Sequence, residues 1–513
     1  MALVVTIVVL IILATVSMNA VLGENGLIKQ AKKAKEMYEN SVTSEEQAMN
    51  QLLGQFENSM QEPAVYDDNT LPTAPKITEG MTKVKYDKDS NSWKKVTDEK
   101  EAWYNYSENA KEWANVVMPA DEDAKNNLFT ADGTLDESKK YVQLVWIPRY
   151  AYQITSQYHQ AGTGAGNVNV VFVDSSNRDR EGKEYSTTYP SYATGSGMED
   201  YVVHPAFEYD GKHLTGFWMG KFEASNTNCT TDPATGNVEY TTAQNYEITT
   251  KPSVTSWRNI KIGDAFVKTL DMNKSGNPYG LNTNDNIVDP HMVKNTEWGA
   301  VAYLSKSKYG KETEEVYINN NSNYITGIAG DTADAAEITN IANTYKTDAG
   351  MKASTNGNPT GIYDMSGGNW ERVAAYITNG HNNLTDQGIA TDTNKGGVTA
   401  ENTPNKYRNV YESTTDIGDD TRVPDYNLTE PNKKGKYGDA IWEISGGTGT
   451  GVGLSYKQGW YSDYSDFSGL DYPFFYRGGY CKNTSVAGVF SFYFCGGGAA
   501  VYNGFRVVVS VLW

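Results

Sequence analysis

Gly361-Ile-Tyr-Asp-Met-Ser-Gly-Gly-Asn-Trp-Glu-Arg372 is the stretch that decides the fold of this 513-residue chain. Gly361, Gly367 and Gly368 permit turns with positive φ. Trp370 supplies a large face for burial, while Asp364 and Arg372 can satisfy backbone or carboxylate partners. Two shorter phrases lie downstream, Tyr476-Arg477-Gly478-Gly479 and Gly504-Phe505-Arg506-Val507-Val508-Val509. An Arg beside Gly-Gly or Phe more often locks loops through bidentate bonds than serves as a catalytic cation. Asp364, Trp370, Arg477 and Arg506 are therefore read as scaffold.

Outward from these phrases, short strand-like runs alternate from Tyr141 onward with long Asn/Gly/Thr/Asp-rich loops. The runs are YVQLVWIPRYAYQI, GFWMGKFEAS, KPSVTSWRNI, EEVYINN and GFRVVVSVLW. DAFVKTLDMN has the pattern of a helix, and EWGAVAYLSKSKYG of a second. The mixture predicts an α+β domain over residues 141–513, in which a rigid scaffold carries irregular loops. Residues 61–140 are polar, and LPTAPK reads as a linker, so this part is expected to be a linker or small intermediate region.

The three ordered motifs resemble the C-type-lectin-like fold shared by formylglycine-generating enzymes and the variable proteins of diversity-generating retroelements. GIYDMSGGNWER is similar to that family's G-L-Y-D-M-S-G-N-V-W-E-W signature, YRGG to its R-G-G turn, and GFRVVV to its closing strand. LVWIPRYAYQI, FWMGKFEAS and NTEWGAVAYLSKSKYG resemble the retroelement-associated branch. The resemblance covers roughly residues 141–513. It implies a ligand-binding region placed before the last strand, at about residues 477–506, in which adenine-directed mutagenesis varies Asn codons. Such codons can become Phe, Tyr, Cys, Ser, Val, Ala, Gly or Asn, and never Lys, Glu, Gln, Met or Trp. Tyr480, Cys481, Val486, Ser491, Tyr493, Phe494, Cys495, Ala500, Val501, Tyr502 and Asn503 obey that exclusion and are the expected ligand-binding set; Lys482 breaks it. They interleave with a regular frame, Ala487 to Phe490 and Phe492, for which core burial is expected.

At the other end, Leu3 to Leu22 is an apolar run of roughly 20 residues without a charge, the length of a membrane-spanning helix. An amphipathic pattern follows in LIKQAKKAKEMYE and SEEQAMNQLLGQFE. This segment resembles the N-terminal helix of type IV pilin-like proteins, although it lacks a leader and has Ala2 where such proteins usually have Glu. Lys29, Lys32, Lys33 and Lys35 alone would place the following chain in the cytoplasm, whereas the pilin resemblance implies the opposite side. The expectation is a long pilin-like transmembrane helix over residues 1–60, anchored in the membrane through residues 3–22. It would display the domain on a bacterial cell surface or pilus, with other pilin subunits as candidate neighbours.

A formal charge of −19 and a pI near 4.8 repel a phosphate backbone and exclude nucleic acid as the expected partner. Thirty-six Tyr against fourteen Phe suit a wet recognition surface. Cys229, Cys481 and Cys495 form neither a disulfide framework nor a zinc pattern, and five His make a histidine metal site improbable. Loop Asp and Asn could ligate calcium, but no EF-hand pattern occurs and no site or cofactor is assigned. No Ser-His-Asp arrangement, P-loop or dinucleotide fingerprint appears. The expected function is thus that of a non-enzymatic, surface-displayed adhesin or receptor-like binder of a protein or glycan, diversified at its C-terminal region. The alternatives are an oxidase resembling the formylglycine-generating enzyme, which needs two reactive thiols near the R-G-G turn, and a structural pilin subunit.

Overall fold

Strands form here where β-branched and aromatic residues run together. Tyr141–Pro148 (YVQLVWIP), Gly216–Gly220 (GFWMG) and Val507–Val511 (VVVSV) are buried at every position, so both their faces are covered. The computed structural model describes residues 71–513 apart from 161, 194–195, 321–324, 329–343, 393–394, 412–436, 446–456, 467–471 and 513.

The first sheet contains β1 (Thr82–Asp87), β2 (Ser92–Lys95), β3 (Asn115–Pro119), β4 (Tyr141–Pro148), β5 (Gly216–Gly220), β6 (Val288–Met292) and the closing strand Val507–Val511. Its order is β6, closing strand, β5, β4, β3, β1, β2, and every pairing is antiparallel. The second sheet is built around β7 (Trp370–Ile377). On one side of β7 lie β8 (Asn409–Tyr411), parallel to its C-terminal half, and the short strand Asn503–Phe505, parallel to its N-terminal half. On the other side follow, in spatial order, Phe474–Arg477, Phe492–Cys495, Tyr464–Ser465 and Lys457–Gln458. In chain order these become β9 (Lys457–Gln458), β10 (Tyr464–Ser465), β11 (Phe474–Arg477), β12 (Phe492–Cys495) and β13 (Asn503–Phe505), and the closing strand is β14.

Helices are few and short. α1 (Glu122–Asn127) is capped by Asp121, whose Oδ1 accepts from Ala124 N at 2.8 Å. α2 (Ile262–Leu270) and α3 (Asn295–Lys306) overlap the two stretches with helical pattern, each starting two residues earlier, and all twelve residues of α3 are buried. KPSVTSWRNI and EEVYINN, expected as strands, contain only isolated bridges.

One expectation needs correction. The α+β domain behind a long pilin-like transmembrane helix is replaced by a mostly β-sheet architecture. Among the described residues the longest helix is α3, and no helix is long and apolar enough to cross a membrane. Apolar residues in the described chain are distributed over many strands of two to eight residues, which leaves no long helical run. The Leu3–Leu22 stretch and the rest of residues 1–60 lie outside the described residues. Of residues 61–140, expected to be a linker or small intermediate region, those from 71 onward contribute strands and a helix to the described structure. β1, β2 and β3 extend the first sheet beyond β4, and Val84, Trp93, Val117, Ala124, Leu128, Leu135 and Tyr141 form a core of their own. The polar composition that suggested a linker reflects the exposed loops and the mostly uncovered β1 and β2; β3 is buried at four consecutive positions.

Between the sheets sits a buried polar cluster. Arg506 Nε donates to Glu371 Oε2 at 2.9 Å and Nη2 to Oε1 at 2.5 Å, with neither side chain exposed. The same guanidinium donates to Gly220 O at 2.8 Å and Tyr363 O at 2.9 Å. Asp364, at φ 64°, accepts from Asn319 Nδ2 at 2.8 Å and Gly327 N at 2.7 Å. Glu223 accepts from Asn369 N at 2.6 Å, from Asn369 Nδ2 at 2.8 Å and from Ser256 Oγ. Gly368, at φ 71°, permits this approach, since a Cβ there would stand 2.3 Å from Glu223 Oε1. Burial raises all three carboxyls: Glu371 to about 7 despite Arg506, and Glu223 and Asp364 upward, Glu223 further by the charge of Glu371.

Two outcomes follow from that cluster. Arg506→Met leaves Glu371 buried without its partner and is expected to cost about 3–5 kcal/mol, read as a lowered denaturation midpoint. Glu223 has a folded-state pKa above its unfolded one, so the proton it retains stabilises the fold in acid. That stabilisation is lost as pH rises through the folded value. Glu223→Gln keeps the shape, because the Asn369 amide can turn its unpartnered Oδ1 toward the new donor. Between about pH 5.5 and pH 8 the wild type should lose stability relative to the variant by up to ~1.4 kcal/mol per pH unit. Parallel stability curves for the two proteins would show that Glu223 does not titrate in this range.

Candidate functional site

β11 and β12 pair antiparallel with Tyr476 opposite Tyr493 and Phe475 opposite Phe494. Side chains alternate across a strand, so Tyr476, Tyr493, Phe474 and Cys495 share one face and Phe475, Arg477, Phe492 and Phe494 the other. Trp370 and Arg372 of β7 continue the first of these faces, since Arg372 pairs with Tyr476. The Trp370 ring stacks on Tyr476 (centroids 5.5 Å, planes 26° apart) and on Tyr493 (5.8 Å, 23°). Tyr464 of β10 closes the group at 5.7 Å from Tyr493. Trp370 is buried, whereas Tyr464, Tyr476 and Tyr493 are half-buried, so the result is a partly exposed aromatic platform.

Its rim carries the large apolar side chains that the described surface exposes: Tyr472 at 44%, Val501 at 43% and Tyr502 at 42%. Tyr472 packs on Phe494 at 4.8 Å, and Tyr502 lies 5.9 Å from Tyr480.

The segment 497–502 is positioned by its main chain. Ile262 N donates to Gly497 O at 3.0 Å, Asn259 N to Ala500 O at 3.0 Å, and Trp370 N to Tyr502 O at 3.0 Å. Arg258 Nη1 donates to Val501 O at 2.9 Å, and Arg372 Nη2 to Gly498 O. None of these bonds uses the side chain of a residue in the segment. In the turn upstream Cys481 N donates to Gly368 O at 2.9 Å, and Tyr480 N to the turn's own Asn483 Oδ1 at 2.8 Å.

The structure sorts the expected ligand-binding set into two groups. Val501 and Tyr502 are exposed, and Tyr480, Val486, Tyr493 and Ala500 are half-buried. Cys481, Ser491, Phe494, Cys495 and Asn503 are buried at 0–9% exposure, so their assignment to a contact surface is corrected. Phe494 is covered by Tyr472 at 4.8 Å and by the ring of Tyr493 at 4.1 Å. Cys495 has the outward parity, but the chain folds back over it: Gly497 N donates to its Sγ at 3.1 Å, and a Cβ on Gly497 would come 2.7 Å from the Phe474 ring. Asn503 turns inward to donate to Tyr476 Oη at 2.6 Å. Ser491 lies beside Arg477, which takes its carbonyl at 3.2 Å. The frame residues Ala487, Gly488, Val489, Phe490 and Phe492 are buried. Tyr464, Tyr472 and Tyr476 were missed because they precede the R-G-G turn. Their signal was the excess of Tyr over Phe.

The scaffold residues are all buried. Arg477 donates to Ser491 O, to Asn295 Oδ1 at 3.2 Å, to Asp439 O at 2.8 Å and to Ala440 O at 3.0 Å, which fixes the start of the R-G-G turn against α3.

All three cysteines are free and buried. Burial, and then the charge of Glu223, pushes the Cys481 thiol up to about 12, the reverse of what a nucleophilic thiolate requires. Among the described residues no group of three or more His, Cys, Asp or Glu is arranged to hold a metal ion. Burial, followed by the neighbouring Cys495 thiol, also raises the Tyr476 hydroxyl well above its ordinary value, so it stays a neutral hydrogen-bonding group at the platform. Chemically the site offers stacking faces, hydroxyls and small-residue hollows. No protein-family model matches the chain, and no curated protein matches its sequence.

Proposed function

We propose that the chain is a ligand-binding protein of adhesin or receptor-like type, and that it engages a protein or glycan partner through the Trp370/Tyr476/Tyr493 platform and its rim. The observation that carries this reading is the main-chain anchoring of segment 497–502. Gly497, Gly498, Ala500, Val501 and Tyr502 all give their carbonyls to the scaffold, while Val501 and Tyr502 expose their side chains. A segment held this way keeps its path when side chains change, which a diversified surface requires. Tyr anchors beside Gly and Ala hollows supply the contact chemistry. The ordered GIYDMSGGNWER, YRGG and GFRVVV motifs support the retroelement-diversified form of the reading.

Tyr502→Ala should change the denaturation midpoint by no more than ~0.5 kcal/mol, and Tyr493→Ala by about 0.5–1.5 kcal/mol through lost stacking. Phe492→Ala, in the core, is expected to cost about 3–5 kcal/mol. A displayed library randomised at Tyr472, Tyr480, Tyr493, Val501 and Tyr502 should remain largely folded, and selection on an arbitrary target such as lysozyme should enrich binders. Collapse of most clones would sink the proposal. For the diversified form, the neighbouring DNA should hold a near-repeat of the coding stretch for 477–506, differing only at adenines, beside a reverse transcriptase gene.

A further inference from the structure

The sequence contains two Asp-Pro bonds, Asp232-Pro233 and Asp289-Pro290. A link of this kind is the most easily broken in a polypeptide. The Asp carboxylate can attack its own main-chain carbonyl, and the proline nitrogen, a tertiary amide without N–H, departs as a basic secondary amine. The fold treats the two bonds differently. Asp232 is exposed and spends its carboxylate on a turn, where Oδ1 accepts from Ala234 N at 2.9 Å. Asp289-Pro290 lies in β6, an edge strand of the first sheet that is buried at every position.

Around that buried bond the groups needed to break it converge. His291 Nδ1 stands 3.0 Å from Asp289 O, the carbonyl of the bond itself, and Nε2 stands 2.9 Å from Glu297 Oε1. Neither the ring nor the Glu297 carboxylate is exposed. Both ring nitrogens face acceptors, so the ring protonated on both donates to both and places positive charge where an oxyanion would develop. Glu297 Oε2 accepts from Lys294 N at 2.9 Å, which fixes the carboxylate and, through it, the ring. The Asp289 carboxylate accepts from Tyr407 Oη at 2.8 Å and from Tyr209 Oη at 3.1 Å, and it contacts Lys406 Nζ. The Lys406 ammonium lies over the rings of Tyr407 at 4.6 Å and Tyr209 at 5.4 Å. The Lys406 and Asp289 side chains are only 13% and 2% exposed. An amine held in place beside an acyl group reaches effective molarities on the order of 10⁵ M or more, enough to outrun water.

We propose that the protein cleaves its own Asp289-Pro290 bond and transfers the Asp289 acyl group to Lys406. A carboxylate oxygen of Asp289 attacks the Asp289 main-chain carbonyl carbon, while His291 stabilises the charge on its oxygen. The carbon–nitrogen bond to Pro290 breaks, the proline nitrogen takes a proton from the Lys406 ammonium, and a cyclic anhydride of Asp289 remains. The freed Lys406 amine then attacks an anhydride carbonyl. An amide forms, the anhydride carbon–oxygen bond breaks to restore one carboxylate, and the proton released from the amine goes to the Pro290 nitrogen. The sum is one peptide bond exchanged for one isopeptide bond, with no change of mass and no external reactant. β6 stays in place across the break, since Val288 pairs with Val511 and His291 with Val508 of β14. The product ties the first sheet covalently to the segment just ahead of β8 in the second. The aromatic platform takes no part in it.

N-terminal sequencing of the purified full chain after incubation at neutral pH, with tandem mass spectrometry of its tryptic peptides, tests the proposal. A second N-terminus reading Pro-His-Met-Val should appear, beginning at Pro290. A branched peptide should join Asp289 to Lys406, and the intact mass should equal that of the uncut chain. Asp232-Pro233 should stay whole, which separates assisted cleavage from simple acid lability. Asp289→Ala should abolish both products. Pro290→Ala keeps every side chain of the site and replaces the labile tertiary amide by an ordinary one; it should slow the appearance of the new N-terminus by at least about a hundredfold, and it decides the matter if Asp289→Ala does not fold. A wild-type chain that stays linear and uncut overturns the proposal. So does cleavage at Asp232-Pro233 as complete as at Asp289-Pro290, or cleavage at Pro290 with no link to Lys406.

Discussion

Everything in the architecture turns on one buried ion pair, Arg506 with Glu371. The chain leaves the second sheet at Phe505 and enters the first at Val507, so Arg506 is the residue at which a continuous strand changes sheets. Its guanidinium reaches the end of β5 through Gly220 O, the GIYDMSGG turn through Tyr363 O and the middle of the second sheet through Glu371. A buried pair of this kind adds little net stability over an apolar substitute, but removing one partner is expensive. Its effect is to specify geometry. Five donors in a fixed plane admit only one mutual placement of the elements they join.

Glu223 and Asp364 extend that specification toward the platform. Glu223 grips Asn369, the residue before Trp370, through both backbone and side chain. Gly368 O in turn takes the Cys481 amide. A rigid polar chain therefore runs from the sheet junction to the start of the recognition turn, and it passes through no residue of the exposed rim. Because the support is made of carboxyls, guanidinium groups and main-chain amides, rim side chains can change without unfastening it. Two layers thus divide the labour: fixed polar geometry beneath, replaceable contact chemistry above.

How much of this was legible in the residues depends on the range of the interaction concerned. α2 was readable from its amphipathic apolar pattern and α3 from its run of helix-forming apolar residues, and the long strands because Val, Ile, Tyr and Trp cluster in them. Asp364, Arg477 and Arg506 stood out as Arg and Asp set among Gly and aromatic residues, a local pattern that demands buried partners. The partners were not readable. Glu371 finds Arg506 across 135 positions and Glu223 finds Asn369 across 146, and no local rule links such positions. The strands of residues 71–140 were hidden for a related reason: β1 and β2 bury few positions and read as polar, and the sheet they complete is built from distant parts of the chain. The expectation of a long helix rested on residues 1–60, which lie outside the described residues.

The division of the candidate set into surface and core has a geometric cause that narrows the recognition reading. Codon compatibility selects residue types and is blind to the two-residue period of a strand. It therefore gathers half-buried Tyr493 together with Phe494, which Tyr472 and Tyr493 cover, and it gathers Cys495 although the Gly497 turn closes over that position. The β11–β12 register brings in Tyr476 opposite Tyr493, and ring contacts bring in Tyr464 and Tyr472, all of which precede the supposed variable stretch. The face that remains is assembled from distant parts of the chain, Trp370, Tyr464, Tyr472 and Tyr476, Tyr480 and residues 493–502, of which the stretch 497–502 is held by its carbonyls. A contact surface assembled in this way can lose or exchange one contribution without losing the others. For that reason a scaffold that tolerates change at Tyr502 is also expected to preserve the stacked core of the platform beneath it.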